Sequence, residues 1–134
     1  MQPVQQTRTG STGNCFAACI ASLLEIPLKL VDGLHEDTIN GFLKRYGLHY
    51  HEIKASKNFP QGKYIVCGRS PRGGLHACIG EGGKIIFDPH PKDGTGRGLV
   101  TVNTFGLLEP VKDHRERLHR SLDKLLDGHR WRQR

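Results

Sequence analysis

Cys15 stands at a junction. The residues before it, TGSTGN, are polar and glycine-rich; the segment it opens, CFAACIASLL, is apolar at helical spacing. A cysteine in the first turn of a helix meets unpaired backbone N–H groups and the positive end of the helix dipole, and both favour the thiolate. A thiolate can act as a nucleophilic catalyst when an imidazole lies beside it and a third group orients that imidazole. One short segment supplies candidates for both roles. His76 lies near the start of LHACIG, and Asp88 lies at the end of KIIFDP. A tight connection through GEGGK makes these runs antiparallel neighbours. His76 and Asp88 are equidistant from Gly82 in the chain, so the spacing predicts that they lie across from one another.

Each residue also has a plainer reading. Cys15 could fill a tight loop–helix junction, His76 could be a hydrogen-bonded strand residue, and Asp88 could cap the turn begun by Pro89. Their joint register favours a catalytic constellation. Cys19 falls one helical turn beyond Cys15 and reads as core, as do Cys67 and Cys78 in apolar strands. Cys15, Cys19, His76, Cys78 and His90 are all potential metal ligands, but their spacing matches no common zinc pattern. Neither metal nor cofactor is expected. His90, in DPHP, either lines the site beside Asp88 or decorates a proline-stiffened turn. SPRGG (70–74) is a loop over the cleft or an ordinary turn. GTGRG (94–98) has no helix after it, which makes it a weak phosphate-loop signal, and it reads as a loop.

The elements that must position these groups follow from periodicity. A helix is expected over about 14–25, with Asn14 as N-cap and Pro27 as its stop. A second is expected over about 35–46, with Gly47 just past its end. Short apolar runs bounded by turn residues predict strands at 48–54, 63–68, 75–80, 84–89 and 98–105. An amphipathic helix over 113–127 places Leu118, Leu122, Leu125 and Leu126 on one face, with Gly128 as terminator. Helices, then an antiparallel sheet, then a helix make an α+β fold.

The ordered layout GNCFAACIASLL, SPRGGLHACIG and FDPHP resembles the papain-like cysteine peptidase superfamily. Within it, the layout is most similar to the compact bacterial branch that trims double-glycine leader peptides. Small phage-encoded and bacterial proteins share this order of motifs, and the likeness spans roughly residues 5–92. It implies Cys15 as nucleophile, His76 as general base and Asp88 as the orienting carboxylate. It also implies an upstream glutamine that donates to the oxyanion together with the Cys15 N–H. Gln6 is the choice for that role, with Gln5 the alternative. Asn14, Gly74 and His90 are the candidate substrate-binding residues.

The 134 residues suit one domain, taken as 1–111 with a basic amphipathic helix and tail at 112–134 packed on it. No apolar run reaches membrane-spanning length, and the N-terminus lacks a secretory pattern, so a cytoplasmic protein with free thiols is expected (in the host cytoplasm if phage-encoded). Residues 112–134 hold eight Lys/Arg against four acids, which is +4 of the chain's net +7. Acids interleaved in that helix weaken a phosphate-tracking surface, so nucleic-acid binding through the tail, with Trp131 stacking, is the lesser reading. The leading function is a cysteine hydrolase acting on a peptide, isopeptide or other amide bond in a peptide or protein substrate. The alternative is a catalytically silent module of the same fold that sequesters a protein or nucleic-acid partner.

Overall fold

The computed structural model describes residues 1–10, 13–91 and 96–125. Five strands make one antiparallel sheet: β1 Leu48–Lys54, β2 Lys63–Arg69, β3 Leu75–Glu81, β4 Lys84–Phe87 and β5 Thr104–Pro110. Their order is β1-β5-β2-β3-β4. Among the described residues three α-helices accompany the sheet: α1 Cys15–Leu24, α2 Ile39–Leu43 and α3 Val111–Leu125. The fold is α+β, as the succession of periodicities predicts.

Alternation along the strands divides the core in two. On one face Tyr50, Ile65, Ala77 and Ile79 pack with Phe16, Cys19 and Ile20 of α1 and with Ile39 and Leu43 of α2. On the other, Tyr64, Val66, Phe105 and Leu107 form a smaller cluster. α1 lies over β3, which carries the Cys15 end of the helix to the start of that strand. Ser22, deep in α1, accepts from the Val4 N–H at 2.8 Å and so ties the N-terminal segment along the helix.

Four expectations are corrected. The second helix is much shorter than 35–46. Residues 35–38 form a turn in which the Thr38 hydroxyl accepts from the His35 N–H, and α2 passes at Lys44–Tyr46 into a 3₁₀ turn. Gly41 weakens the helix from within. The Asn40 amide also clasps both backbone groups of Tyr50, at 2.7 and 3.0 Å, which fixes this segment against β1. The expected 98–105 strand is displaced: 99–103 runs irregularly beside the end of β2, and the strand proper is β5 at Thr104–Pro110, inserted between β1 and β2. Gly106, an unpromising strand residue, is required there, because a Cβ would overlap the Tyr50 hydroxyl of the neighbouring strand. Gly106→Ala is therefore expected to lower stability by about 1–3 kcal/mol through overpacking, read as a fall in the urea midpoint with an unchanged slope.

The third correction concerns the β3–β4 hairpin. The expected tight connection within GEGGK is a two-residue turn at Gly82 and Gly83, both at positive φ, and Glu81 pairs with Lys84. A bulge then shifts the register: Gly80 faces Ile85, whereas Ile79 faces Phe87. Asp88 therefore lies beyond the end of β4 rather than directly across from His76. The fourth concerns α3, which begins at Val111, its N–H bonded to the Gly47 carbonyl at 2.9 Å, and touches β5 and β1. Leu122, assigned to its packed face, is 44% exposed. Leu126, Gly128 and the tail with Trp131 lie outside the described residues, as do Gly94 and Thr95 of the GTGRG loop. No helix among the described residues is long and apolar enough to cross a membrane.

Candidate active site

Cys15 is the first residue of α1, and the first helical bond of the turn runs from the Ala18 N–H to the Asn14 carbonyl. Asn14 occupies the N-cap position, but its side chain makes no cap bond. Its Oδ1 instead accepts from the backbone N–H groups of Thr7 and Arg8, at 2.9 and 3.0 Å, while Nδ2 donates to the Thr7 hydroxyl at 2.8 Å. The Arg8 guanidinium adds two bonds to the Asp32 carboxylate, at 2.9 and 2.6 Å. Asn14 thus holds the approach to the helix, and it also lines a hollow with Arg8, Phe16 and His35.

The thiol of Cys15 meets the imidazole of His76, together with the backbone N–H groups of Ala77 and Phe16. Burial opposes ionisation, yet His76 and these two amides outweigh it and hold the thiol below its ordinary pKa. His76 is 3% exposed. Its Nε2 donates to Asp88 Oδ1 at 2.7 Å, which leaves Nδ1 for the thiol. Burial disfavours the imidazolium, but the bonds to Asp88, to Cys15 and to Cys78 raise its pKa to about 11. Asp88 accepts two further bonds, from the His90 N–H to Oδ1 at 2.9 Å and from the Gly98 N–H to Oδ2 at 2.6 Å. Burial of this carboxyl works against its charge, and the His76 bond with the two amides overrides burial and holds the pKa well below the carboxylate range. Arg97 completes the clasp by donating to the Asp88 carbonyl at 3.0 Å.

Cys15, His76 and Asp88, from three separate elements, are thus brought together. The bulge does not prevent it, because the Asp88 side chain reaches back from beyond the strand end. Gln6 is buried nearby, with its N–H bonded to the Pro89 carbonyl at 2.9 Å. Its Nε2 donates to the Arg8 carbonyl at 2.8 Å, and Oε1 is buried without a hydrogen-bond partner among the described residues. His90 stands edge-on to His76, ring centroids 6.3 Å apart, and is buried. Burial, aided by the charge of Arg72, lowers its pKa. Its backbone N–H acts on Asp88, and its ring is not among the walls of the Cys15 cleft. Gly74 accepts from the Ser70 N–H at 2.8 Å and lines a neighbouring hollow with Arg69, Gly73 and Thr101, not the cleft of Cys15.

Two cysteines read as core are closer to the chemistry than their strands suggested. Cys78 is fully buried, but its thiol lies within 4.8 Å of ligand atoms of both His76 and Asp88. Burial raises its pKa, so it stays a neutral thiol packed beside the pair. The i, i+2 spacing of His76 and Cys78 on one strand was the available signal. Cys67 is only half-buried and opens into the same cleft as Cys15. Burial and the nearby Glu52 push its thiol up to about 12, which leaves it unreactive beside Cys15. Cys19 is core, as expected. All four thiols are free.

The cleft in front of Cys15 has a volume of about 390 Å³, and Phe16, Glu52, Leu75 and Thr104 are among its walls. A separate hollow of about 350 Å³, with Phe59, Tyr64 and Phe105 among its walls, lies away from these groups. An α+β chain with a Cys–His–Asp constellation at the mouth of a helix is what fold and site together define. The chain matches no family model, no curated protein and no solved structure.

Proposed function

We propose that this protein is a papain-like cysteine hydrolase that cleaves an amide bond in a peptide or protein. The observation that carries the proposal is the continuous chain of contacts from the Cys15 thiol through His76 to Asp88, with Asp88 held by two backbone amides. The Cys15 thiolate attacks the carbonyl carbon of the substrate. The resulting oxyanion takes the Cys15 N–H at the helix mouth, with the second Nε2 hydrogen of Gln6 as the further donor. The His76 imidazolium gives its Nδ1 proton to the leaving amine. The thioester that remains is attacked by water, whose proton returns to His76, and the acid leaves with the thiolate restored. Asp88 fixes the ring and stabilises its charged form throughout.

Four free thiols suit a reducing compartment, so the cytoplasm is the proposed place of action. Incubation with p-nitrophenyl acetate provides the test without knowledge of the substrate. It is expected to release a burst of one p-nitrophenolate per chain and to leave an acetyl group on Cys15, detected by peptide mass mapping. Cys15→Ala abolishes both if the proposal holds. Acetyl groups spread over lysines with no burst would refute it, and a silent binding module of the same fold would take its place.

A further inference from the structure

The chain carries a net charge of +7, yet the walls of the Cys15 cleft reverse that sign. Neither lysine nor arginine lines it among the described residues, and its carboxylates are Glu36 and Glu52. The thiolate and the imidazolium cancel one another, so these two acids set the field that a substrate meets at neutral pH.

Glu52 is held in place. The Tyr50 hydroxyl donates to its Oε2 at 2.9 Å, and Tyr50 is itself buried against Phe16, ring centroids 5.1 Å apart. The Cys67 thiol lies 3.7 Å from the same oxygen. Cys67 pairs across strands with Ala77, whose N–H faces the Cys15 sulfur. The Glu52 carboxylate thus reaches from β1 across β5 to Cys67 on β2, the strand next to β3, over which the nucleophile sits. Glu36 approaches from the segment before α2, and its carboxylate oxygen comes within 4.8 Å of ligand atoms of both Glu52 and Cys67. Two acids from different parts of the chain converge on one wall of a cavity whose other wall holds the reactive sulfur.

We infer that this cleft selects a cationic substrate: a peptide that carries a lysine or arginine side chain beside the scissile amide, seated on Glu36 and Glu52. The inference rests on the hydrolase reading for the identity of the site. The carboxylates do not make the cleft a site, since Cys15 and His76 do that; they decide which neighbour of the scissile bond it accepts. An ammonium or guanidinium fits the space between two carboxylates that have no Lys or Arg of their own in the cleft. An acidic neighbour is repelled from the same wall.

Charged thiol reagents test this independently of turnover. Rates of Cys15 modification by the cationic 2-(trimethylammonio)ethyl, the neutral methyl and the anionic 2-sulfonatoethyl methanethiosulfonates are measured at pH 7.5 and low salt, with the site assigned by peptide mapping. The ratio of cationic to anionic rates is expected to fall by about tenfold in Glu36→Gln/Glu52→Gln, since the field of two carboxylates acts with opposite sign on the two reagents. The drop shrinks as salt is raised. The exposed Glu36→Gln variant alone gives a smaller fall and guards against a folding defect in the double variant. An unchanged ratio in a folded double variant, with Cys15 still fast towards the neutral reagent, overturns the substrate preference and leaves the hydrolase reading standing. Slow reaction with the neutral reagent in wild type, no faster than in His76→Ala, overturns the hydrolase reading itself.

Discussion

Asp88→Ala is expected to lower stability by about 3–5 kcal/mol, the range for removing one partner of a buried charged pair. Three donors lose their acceptor at once: His76 Nε2 and the backbone N–H groups of His90 and Gly98. The loss should depend on pH in a defined way. The Asp88 pKa is depressed in the folded chain, so its contribution is present above the ordinary carboxyl value of 3.8 and disappears as pH falls through the lower folded value. The His76 pKa is raised, so its contribution is complete below 6.5 and declines as pH rises towards about 11. Thermal melts of wild type and Asp88→Ala should therefore differ most between about pH 4 and pH 6.5, and the difference should narrow below that range as Asp88 is protonated and above it as His76 loses its proton. A difference that does not vary with pH would mean that Asp88 acts only as a neutral hydrogen-bond acceptor.

The second large effect is on chemistry. Once an amide substrate is in hand, His76→Ala is expected to reduce kcat/KM by about 10²–10⁴-fold, the usual contribution of a positioned acid–base group, and Cys15→Ala should remove turnover. Cys78→Ala, which disturbs the packing beside the pair without removing a reacting atom, should reduce the rate far less. Equal losses from Cys78→Ala and His76→Ala would point to a collapsed site instead of a lost base. The single-turnover rate with an activated ester separates the cases, because acyl transfer to Cys15 still proceeds slowly where only the base is missing.

The local features of this fold are legible in the chain because neighbours in sequence create them. Gly82 and Gly83 supply the positive φ values of a tight hairpin, and the apolar spacing of Phe16, Cys19, Ile20 and Leu23 makes α1. The candidate triad is legible for the same reason: two of its members sit on one hairpin and the third at a helix mouth. What is not legible depends on distant partners. Nothing near Gly106 announces that β5 enters the middle of the sheet, since the reason is the Tyr50 hydroxyl on another strand. The bulge that shifts Asp88 past the strand end is invisible in the symmetric count about Gly82. Cys67 reads as core from its apolar neighbours. It opens into the cleft because a groove, framed by Glu36, Glu52 and Thr104, runs along that part of the sheet. Asn14 has the composition of a cap, but the strand of backbone at Thr7 and Arg8 competes for its amide and prevails.

The measurement that bears most directly on the thiolate–imidazolium pair is the rate of Cys15 alkylation by iodoacetamide as a function of pH, in wild type and in His76→Ala. The pair predicts that wild type reacts rapidly well below pH 8 and holds a plateau while His76 keeps its proton, which the raised His76 pKa extends into the alkaline range. His76→Ala should lose the low-pH reactivity and follow a single rise with the pKa of a free thiol, ~8.5. Identical profiles for the two proteins, each rising only around that value, would contradict the pair and remove the basis for the hydrolase proposal.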